Sequence, residues 1–175
     1  MGLESGFTLK ESMVSDNYSS GGGGGIFVWG PLYGIEGPVI EDCIVTGNET
    51  DSDGGGIMLE EDVDAIITRT SVVDNHANNF IGGISVIGTS TTINNVTVSG
   101  NTSGSGGGVG IGEANVDIIN SIVWNDTDNE IWVYSGSATV KYSDIEGGWE
   151  GGTGNINADP LFTDADNGDF TLQPG

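Results

Sequence analysis

The chain has 175 residues, of which 32 are glycine and 26 are acidic, and its three Lys and Arg leave a formal net charge of −23. A surface this negative excludes nucleic acid and anionic membranes as partners, because phosphate groups are bound by clustered Lys and Arg. No apolar run approaches the roughly 18 residues of a membrane-spanning helix, so no membrane insertion is expected. The first residues lack a cationic segment followed by an apolar one, and no signal peptide is expected there.

Six segments align without internal gaps and define a repeat. In chain order they are FTLKESMVSDN (7–17), PVIEDCIVTGN (38–48), IITRTSVVDN (66–75), TTINNVTVSGN (91–101), VDIINSIVWND (116–126) and ATVKYSDIEGG (138–148). Their apolar residues alternate with period two, which is typical of half-buried strands. Two apolar columns result: Leu9, Ile40, Ile67, Ile93, Ile118, Val140, and Val14, Val45, Val72, Val98, Val123, Ile145.

A second strand follows each of the first five segments, as GGIFV, GGIML, GGISV, GGVGI and NEIWV. The strands keep their length while the loops between them vary, which favours a solenoid whose coils pair with one another. A polar column closes the first strand pattern, with members Asn17, Asn48, Asn75, Asn101, Asp126 and Gly148. We expect a corner ladder there, because an Asn amide can bond both the backbone and the Asn of the next coil, and Asn tolerates left-handed backbone.

The pattern I-x-N-x-x-V-x-x-N followed by G-G-I resembles the repeats of pectate-lyase-like right-handed β-helix proteins. Asp159-Pro160-Leu161-Phe162 and Asn167-Gly168-Asp169-Phe170 are similar to the closing segment of large bacterial secreted or surface-anchored β-helix proteins. The resemblance implies an all-β, right-handed, single-stranded parallel β-helix (solenoid) of about six to seven coils. It also implies an extracellular or cell-surface setting, often in contact with polysaccharide.

We accordingly expect one β-helix domain over 1–175, a fragment of a larger protein. Its six repeats span 7–148, and an irregular closing segment spans 149–175. An uncapped solenoid end exposes an unpaired strand edge, so self-association through the open ends is expected.

The leading functional hypothesis is a non-catalytic module for adhesion or carbohydrate contact. Four aromatic residues of the last coils are candidates for a carbohydrate-contact patch: Trp124, Trp132, Tyr134 and Trp149. The alternative is that they cover the open C-terminal end of the core.

The alternative function is a polysaccharide lyase or hydrolase that acts along a groove of the β-helix. A lyase needs a base, for which the single histidine, His76, is a candidate without a second His beside it. A hydrolase needs paired carboxylates, but 26 acidic residues make coincidental pairs common. The negative surface would also repel an acidic polysaccharide. No catalytic residue is assigned.

Calcium is the cofactor that the acidic loops favour, because hard cations bind several oxygen ligands at once. Asp51 and Asp53 lie two residues apart in one loop, and Asn78 holds the corresponding place in the next coil. A second candidate loop contains Asp126, Asp128 and Glu130. Solvated turns without a metal are the alternative for both loops.

Overall fold

The computed structural model describes residues 6–30 and 37–174, so the start of the chain, where no signal peptide is expected, lies outside it. Within the described ranges the protein is a parallel β-solenoid of about four turns. The same ranges contain no α-helix, only one short 3₁₀ turn, and therefore no helix that could cross a membrane.

Each of the four turns contains four short strands. The first turn has β1 (Thr8–Lys10), β2 (Met13–Ser15), β3 (Tyr18–Ser19) and β4 (Ile26–Trp29). The second has β5 (Val39–Glu41), β6 (Ile44–Thr46), β7 (Glu49–Thr50) and β8 (Ile57–Glu60). The third has β9 (Ala65–Thr68), β10 (Ser71–Val73), β11 (His76–Phe80) and β12 (Ile84–Ile87), and the fourth has β13 (Ser90–Asn94), β14 (Thr97–Ser99), β15 (Thr102–Ser105) and β16 (Val109–Gly112).

Further strands extend some of the faces beyond these turns. They are β17 (Ala114–Ile119), β18 (Ile122–Trp124), β19 (Ile131–Val133), β20 (Gly136–Lys141) and β21 (Asp144–Ile145). The closing segment adds isolated parallel bridges from Thr153 to Lys141 and from Ile156 to Asp144. It then forms an antiparallel pair, β22 (Phe162–Asp164) and β23 (Asp169–Leu172), around the 3₁₀ turn Ala165–Asn167.

Four parallel sheets form the faces of the solenoid. Face A is β1-β5-β9-β13-β17-β20, face B is β2-β6-β10-β14-β18-β21, face C is β3-β7-β11-β15 and face D is β4-β8-β12-β16-β19. The register on faces A and B places the two predicted apolar columns in direct stacks, Leu9 to Val140 and Val14 to Ile145. Most members of these columns are fully buried, so the columns form the core.

The sequence predicted two strands in each repeat, and the structure has four in each complete turn. One reason is a left-handed residue that splits the first pattern into a face-A strand and a face-B strand. In successive coils this residue is Glu11, Asp42, Arg69, Asn95, Asn120 and Tyr142, and its φ lies between 47° and 55°. Glu11, Arg69 and Tyr142 give little signal of a left-handed backbone, since Asn, Asp and Gly are the residues that favour it.

The Asn ladder is confirmed as a hydrogen-bonded column. Oδ1 of Asn75 accepts from the backbone N–H and from Nδ2 of Asn48, at 3.0 and 2.9 Å. Nδ2 of Asn75 in turn donates to Oδ1 of Asn101 and to the Val45 carbonyl. The left-handed residue is the one before each Asn, such as Asp74 (φ 55°), so the prediction that the Asn itself turns the corner was wrong.

Candidate functional site

Face D presents two outward columns whose side chains change in size along the solenoid. One column runs through Phe27, Met58, Ser85, Gly110 and Trp132, and the other through Trp29, Glu60, Ile87 and Gly112 towards Tyr134. Ser85 lines a depression here, while the side chain of Ile81 packs over Gly110 and the ring of Tyr134 packs over Gly112. This aromatic cleft has a volume of about 310 Å³ and is lined by Asp53, Phe80, Ile81, Ser85, Ile87, Trp132 and Tyr134.

Three aromatic side chains form one wall of the cleft. The ring centroids of Phe80 and Trp132 are 5.7 Å apart, and those of Trp132 and Tyr134 are 5.5 Å apart. Both pairs are tilted, a favourable geometry for aromatic contacts. Phe80 and Tyr134 are each about half exposed, so the row of rings is available to a ligand.

Glycines and one strained isoleucine shape the floor. A Cβ on Gly110 would collide with the side chain of Ile81, and a Cβ on Gly112 would collide with the phenol ring of Tyr134. Ile81 is buried although its φ is 56°, an unusual conformation for a β-branched residue. The surrounding packing therefore holds Ile81 beneath the cleft, as strained residues at binding sites often are held.

One carboxylate faces the aromatic row. Asp53 lines the cleft and accepts a hydrogen bond from the Phe80 N–H at 3.2 Å. Burial raises the pKa of Asp53, and the hydrogen bond from Phe80 partly offsets this effect. Burial also raises the pKa of the Tyr134 phenol, with a further contribution from the charges of Asp53, Glu113 and Glu60. The cleft thus combines an apolar floor, exposed rings, a hydrogen-bond acceptor and a hydroxyl donor.

The four predicted carbohydrate-contact residues lie in three places. Trp132 and Tyr134 lie together in the aromatic cleft. Trp149 packs against the end of the core and lines a different cleft, and Trp124 lines a depression with Leu161 and Phe162 of the closing segment. Phe80 was missed, because Phe80 and Trp132 lie on strands of different faces and of coils that are not adjacent, β11 and β19.

The first predicted cation loop is a hydrogen-bonded cluster. Oδ1 of Asp51 accepts from Nδ2 of Asn78 at 2.9 Å, and Oδ2 accepts from the Tyr18 hydroxyl at 2.6 Å. The structure therefore brings Asp51 and Asn78 together, with a donor already on each oxygen of Asp51. Asp53 points its carboxylate to the aromatic cleft instead.

The second predicted loop lies at the end of the Asn ladder. Asp126, Asp128 and Glu130 line a cleft of about 560 Å³ together with Glu146 and Trp149. Burial raises the pKa of both Asp126 and Glu130, and for Glu130 the neighbouring charge of Asp126 adds to the effect. Among the described residues no three His, Cys, Asp or Glu side chains form a ready-made metal cage. Calcium stays a prediction.

His76 belongs to a surface row on face C. Its Nδ1 lies 2.8 Å from the Thr102 hydroxyl, and its Nε2 lies 3.1 Å from Oδ1 of Asn78. Both ring nitrogens thus have partners in neighbouring polar side chains, and the structure gives no reason to assign His76 a catalytic role.

The chain matches no protein-family model, no curated protein and no solved structure. Its fold, a parallel β-solenoid of about four turns, therefore rests on its own strand pairing and register.

Proposed function

We propose that this chain is a non-catalytic module of an extracellular or cell-surface bacterial protein, and that its aromatic cleft contacts carbohydrate. The observation that supports the proposal is the row of Phe80, Trp132 and Tyr134 beside the carboxylate of Asp53. A pyranose has an apolar face of C–H groups and a rim of hydroxyls. Rings can pack on that face while Asp53 and the Tyr134 hydroxyl bond the rim.

A neutral polysaccharide is the class of ligand that the charge distribution favours. The protein carries a net charge of −23, which repels uronic acids. Lys10 and Arg69, two of its three Lys and Arg residues, are paired with Glu41 and Asp42 on face A, where they neutralise carboxylates of the protein itself. Nothing cationic among the residues that line the aromatic cleft would recognise an acidic sugar.

The finer description of the fold belongs to the same proposal. We infer a right-handed coil, because connections between parallel strands of one sheet are almost always right-handed. Six strands on each of faces A and B support a count of six to seven coils. Both features agree with the resemblance of the repeats to pectate-lyase-like β-helix proteins. The same resemblance implies a cell-surface setting.

Affinity electrophoresis in gels that contain neutral polysaccharides tests the proposal. The wild-type protein should be retarded by at least one neutral polysaccharide. Trp132→Ala and Tyr134→Ala should each weaken the interaction about five- to tenfold, since loss of a stacked ring costs about 1–1.4 kcal/mol. Trp29→Ala is the matched control, because Trp29 is an exposed tryptophan of face D at the other end of the solenoid.

Two results would contradict the proposal. If the two cleft variants and Trp29→Ala are retarded as strongly as the wild type, the aromatic cleft is not the contact site. If the bound polysaccharide is cut, as judged by new reducing ends, the module is catalytic and the alternative of a lyase or hydrolase is favoured.

A further inference from the structure

The end of the Asn ladder has a chemical defect that the other rungs lack. In the rungs Asn48, Asn75 and Asn101, Oδ1 accepts two hydrogen bonds, and Nδ2 donates to a valine carbonyl of the coil before. Those carbonyls belong to Val14, Val45 and Val72, at 3.0, 3.0 and 2.9 Å. The last rung is Asp126, whose Oδ1 accepts from N–H and Nδ2 of Asn101 at 2.7 and 2.9 Å. Asp126 therefore accepts as an Asn does, but it has no amide to donate.

Oδ2 of Asp126 occupies the place of the missing amide nitrogen. A Cβ built on Gly108 would lie 2.9 Å from this oxygen, and a Cβ built on Gly83 would lie 3.1 Å from Nδ2 of Asn101. In the register of the ladder, the carbonyl that lacks its side-chain amide donor here is that of Val98. An oxygen without a proton cannot supply one. Oδ2 is inaccessible to solvent and has no hydrogen-bond partner among the described residues.

A second carboxylate completes the same defect. Oε1 of Glu130 accepts from the Asp126 N–H at 3.3 Å, the role that Oδ1 of the next Asn plays elsewhere in the ladder. Oε2 of Glu130 is also buried and, within the described ranges, also without a partner. A third carboxylate, that of Glu146, is fixed nearby by the Asn125 N–H at 2.7 Å. The carboxylates of Asp126 and Glu130 thus lie where one amide would complete the ladder, and Glu146 lies beside them.

Within residues 6–30 and 37–174, no Lys or Arg side chain pairs with these carboxylates. The ion pairs of the described residues all join Lys10 or Arg69 to Glu41 or Asp42. Unpaired carboxylates that are withdrawn from water are strongly unfavourable, so either a proton or a bound cation must accompany them in the folded protein. The adjoining cleft, which Asp128 and Trp149 also line, provides a route from solvent.

We propose that the end of the Asn ladder binds a calcium ion through the unpartnered oxygens of Asp126 and Glu130. The ion would lie where the ladder lacks its amide donor, next to the Val98 carbonyl. That carbonyl and water molecules would complete the coordination shell of the ion. Calcium accepts such a mixture of carboxylate, carbonyl and water oxygens in flexible geometry, whereas magnesium demands a near-ideal octahedron. Only two side chains of the protein, both carboxylates, would bind the ion. The site shares no lining residue with the aromatic cleft, so the calcium proposal does not depend on the carbohydrate proposal.

Asp126→Asn gives the sharpest test, because the new amide can donate to Val98 and complete the ladder. The wild-type melting temperature should rise by about 5–10 °C when calcium reaches about a hundred times its Kd, at constant ionic strength. Asp126→Asn should melt higher than wild type in chelator and should not respond to calcium. Asp117→Asn, at an exposed position of β17 on face A, should respond as the wild type does.

Terbium luminescence provides a readout that does not depend on stability. Terbium bound at the ladder end should be sensitised by the nearby Trp149, and Asp126→Asn should lose that signal while Asp51→Asn keeps it. A wild-type melting temperature that calcium leaves unchanged would overturn the proposal and indicate a proton shared by the two carboxyls. An equal calcium response in wild type and Asp126→Asn would also overturn it, because it would show only diffuse binding to the acidic surface.

Discussion

At the scale of single residues, the Asn ladder shows how a polar side chain can be a core residue. Asn75 is 1% exposed, and every donor and acceptor of its amide is used. Buried amides are tolerated only when they are fully hydrogen-bonded. The ladder meets this condition because each coil supplies what the next one needs.

Asn75→Ala should therefore cost much more than the loss of one hydrogen bond. It leaves the Asn48 N–H without a partner inside the solenoid, at about 1–3 kcal/mol, and it removes one hydrogen bond each from Nδ2 of Asn48, from the Val45 carbonyl and from Oδ1 of Asn101, at about 0.5–1.5 kcal/mol for each bond. We expect the free energy of unfolding, measured by urea denaturation, to fall by at least about 3 kcal/mol. Asn79→Ala, at an exposed position of β11, should change it by less than about 0.5 kcal/mol. Similar values for the two variants would show that the ladder is not a source of stability.

The same scale shows where sequence reasoning succeeds and where it stops. The ladder could be predicted, because Asn recurs at one position of an ungapped repeat and its amide has an obvious partner one coil away. The contact of Phe80 with Trp132 could not, because it joins the bulged strand β11 on face C to strand β19 on face D, which belongs to a different coil. The sequence showed only that an acidic residue, Asp126, stands in the Asn column. That its Oδ2 has no hydrogen-bond partner among the described residues could be seen only in the structure.

At the scale of elements, every strand of the solenoid is too short to be stable alone. The strands contain two to six residues, and nearly all of their stabilisation comes from the coil above and the coil below. Alternation decides which side chains enter the core. In β9, Ile66 is 45% exposed and its neighbour Ile67 is fully buried.

These two isoleucines offer a matched test of the column assignment. Ile67→Ala should lower the free energy of unfolding by about 2–5 kcal/mol, because it opens a cavity in the middle of a stacked column. Ile66→Ala, the same substitution one residue away, should lower it by less than about 1 kcal/mol. Equal losses would mean that the register on face A is displaced by one residue.

The number of strands in a turn was harder to predict than their register. Columns follow from the alternation of apolar and polar residues, a strong and repeated signal. The break between faces A and B depends on a left-handed residue, and at Glu11, Arg69 and Tyr142 the side chain gives no reason for that backbone. There the stacking of one coil on the next determines the backbone.

At the scale of the whole molecule, the two ends of the stack differ. At one end the closing segment adds bridges to β20 and β21, and Trp149 covers the core. At the other end β1, β2, β3 and β4 each pair on one side only, within the described residues. Met13 and Trp29 of these edge strands are more than half exposed.

We predict that molecules associate through these edge strands at physiological salt, where the negative surface is screened. Multi-angle light scattering should show a mass that rises with protein concentration. Met13→Lys, which places a charge on the edge strand β2, should suppress the rise. Ile44→Lys puts the same charge in the same outward column but on the internal strand β6, and should leave the association unchanged. A strict monomer at all concentrations would contradict this prediction.

Because the whole molecule is strongly negative, the most direct test of carbohydrate contact compares a neutral ligand with an acidic one. Isothermal titration calorimetry can compare a neutral oligosaccharide, chosen from the polysaccharide that retards the protein, with a uronic-acid oligomer of equal length, each at low and at high salt. We predict that the neutral ligand binds with a Kd that salt leaves unchanged, because stacking and neutral hydrogen bonds dominate, and that the acidic ligand does not bind. Tighter binding of the acidic ligand, or no heat from either one, would contradict the assignment of the aromatic cleft as a site for neutral sugar.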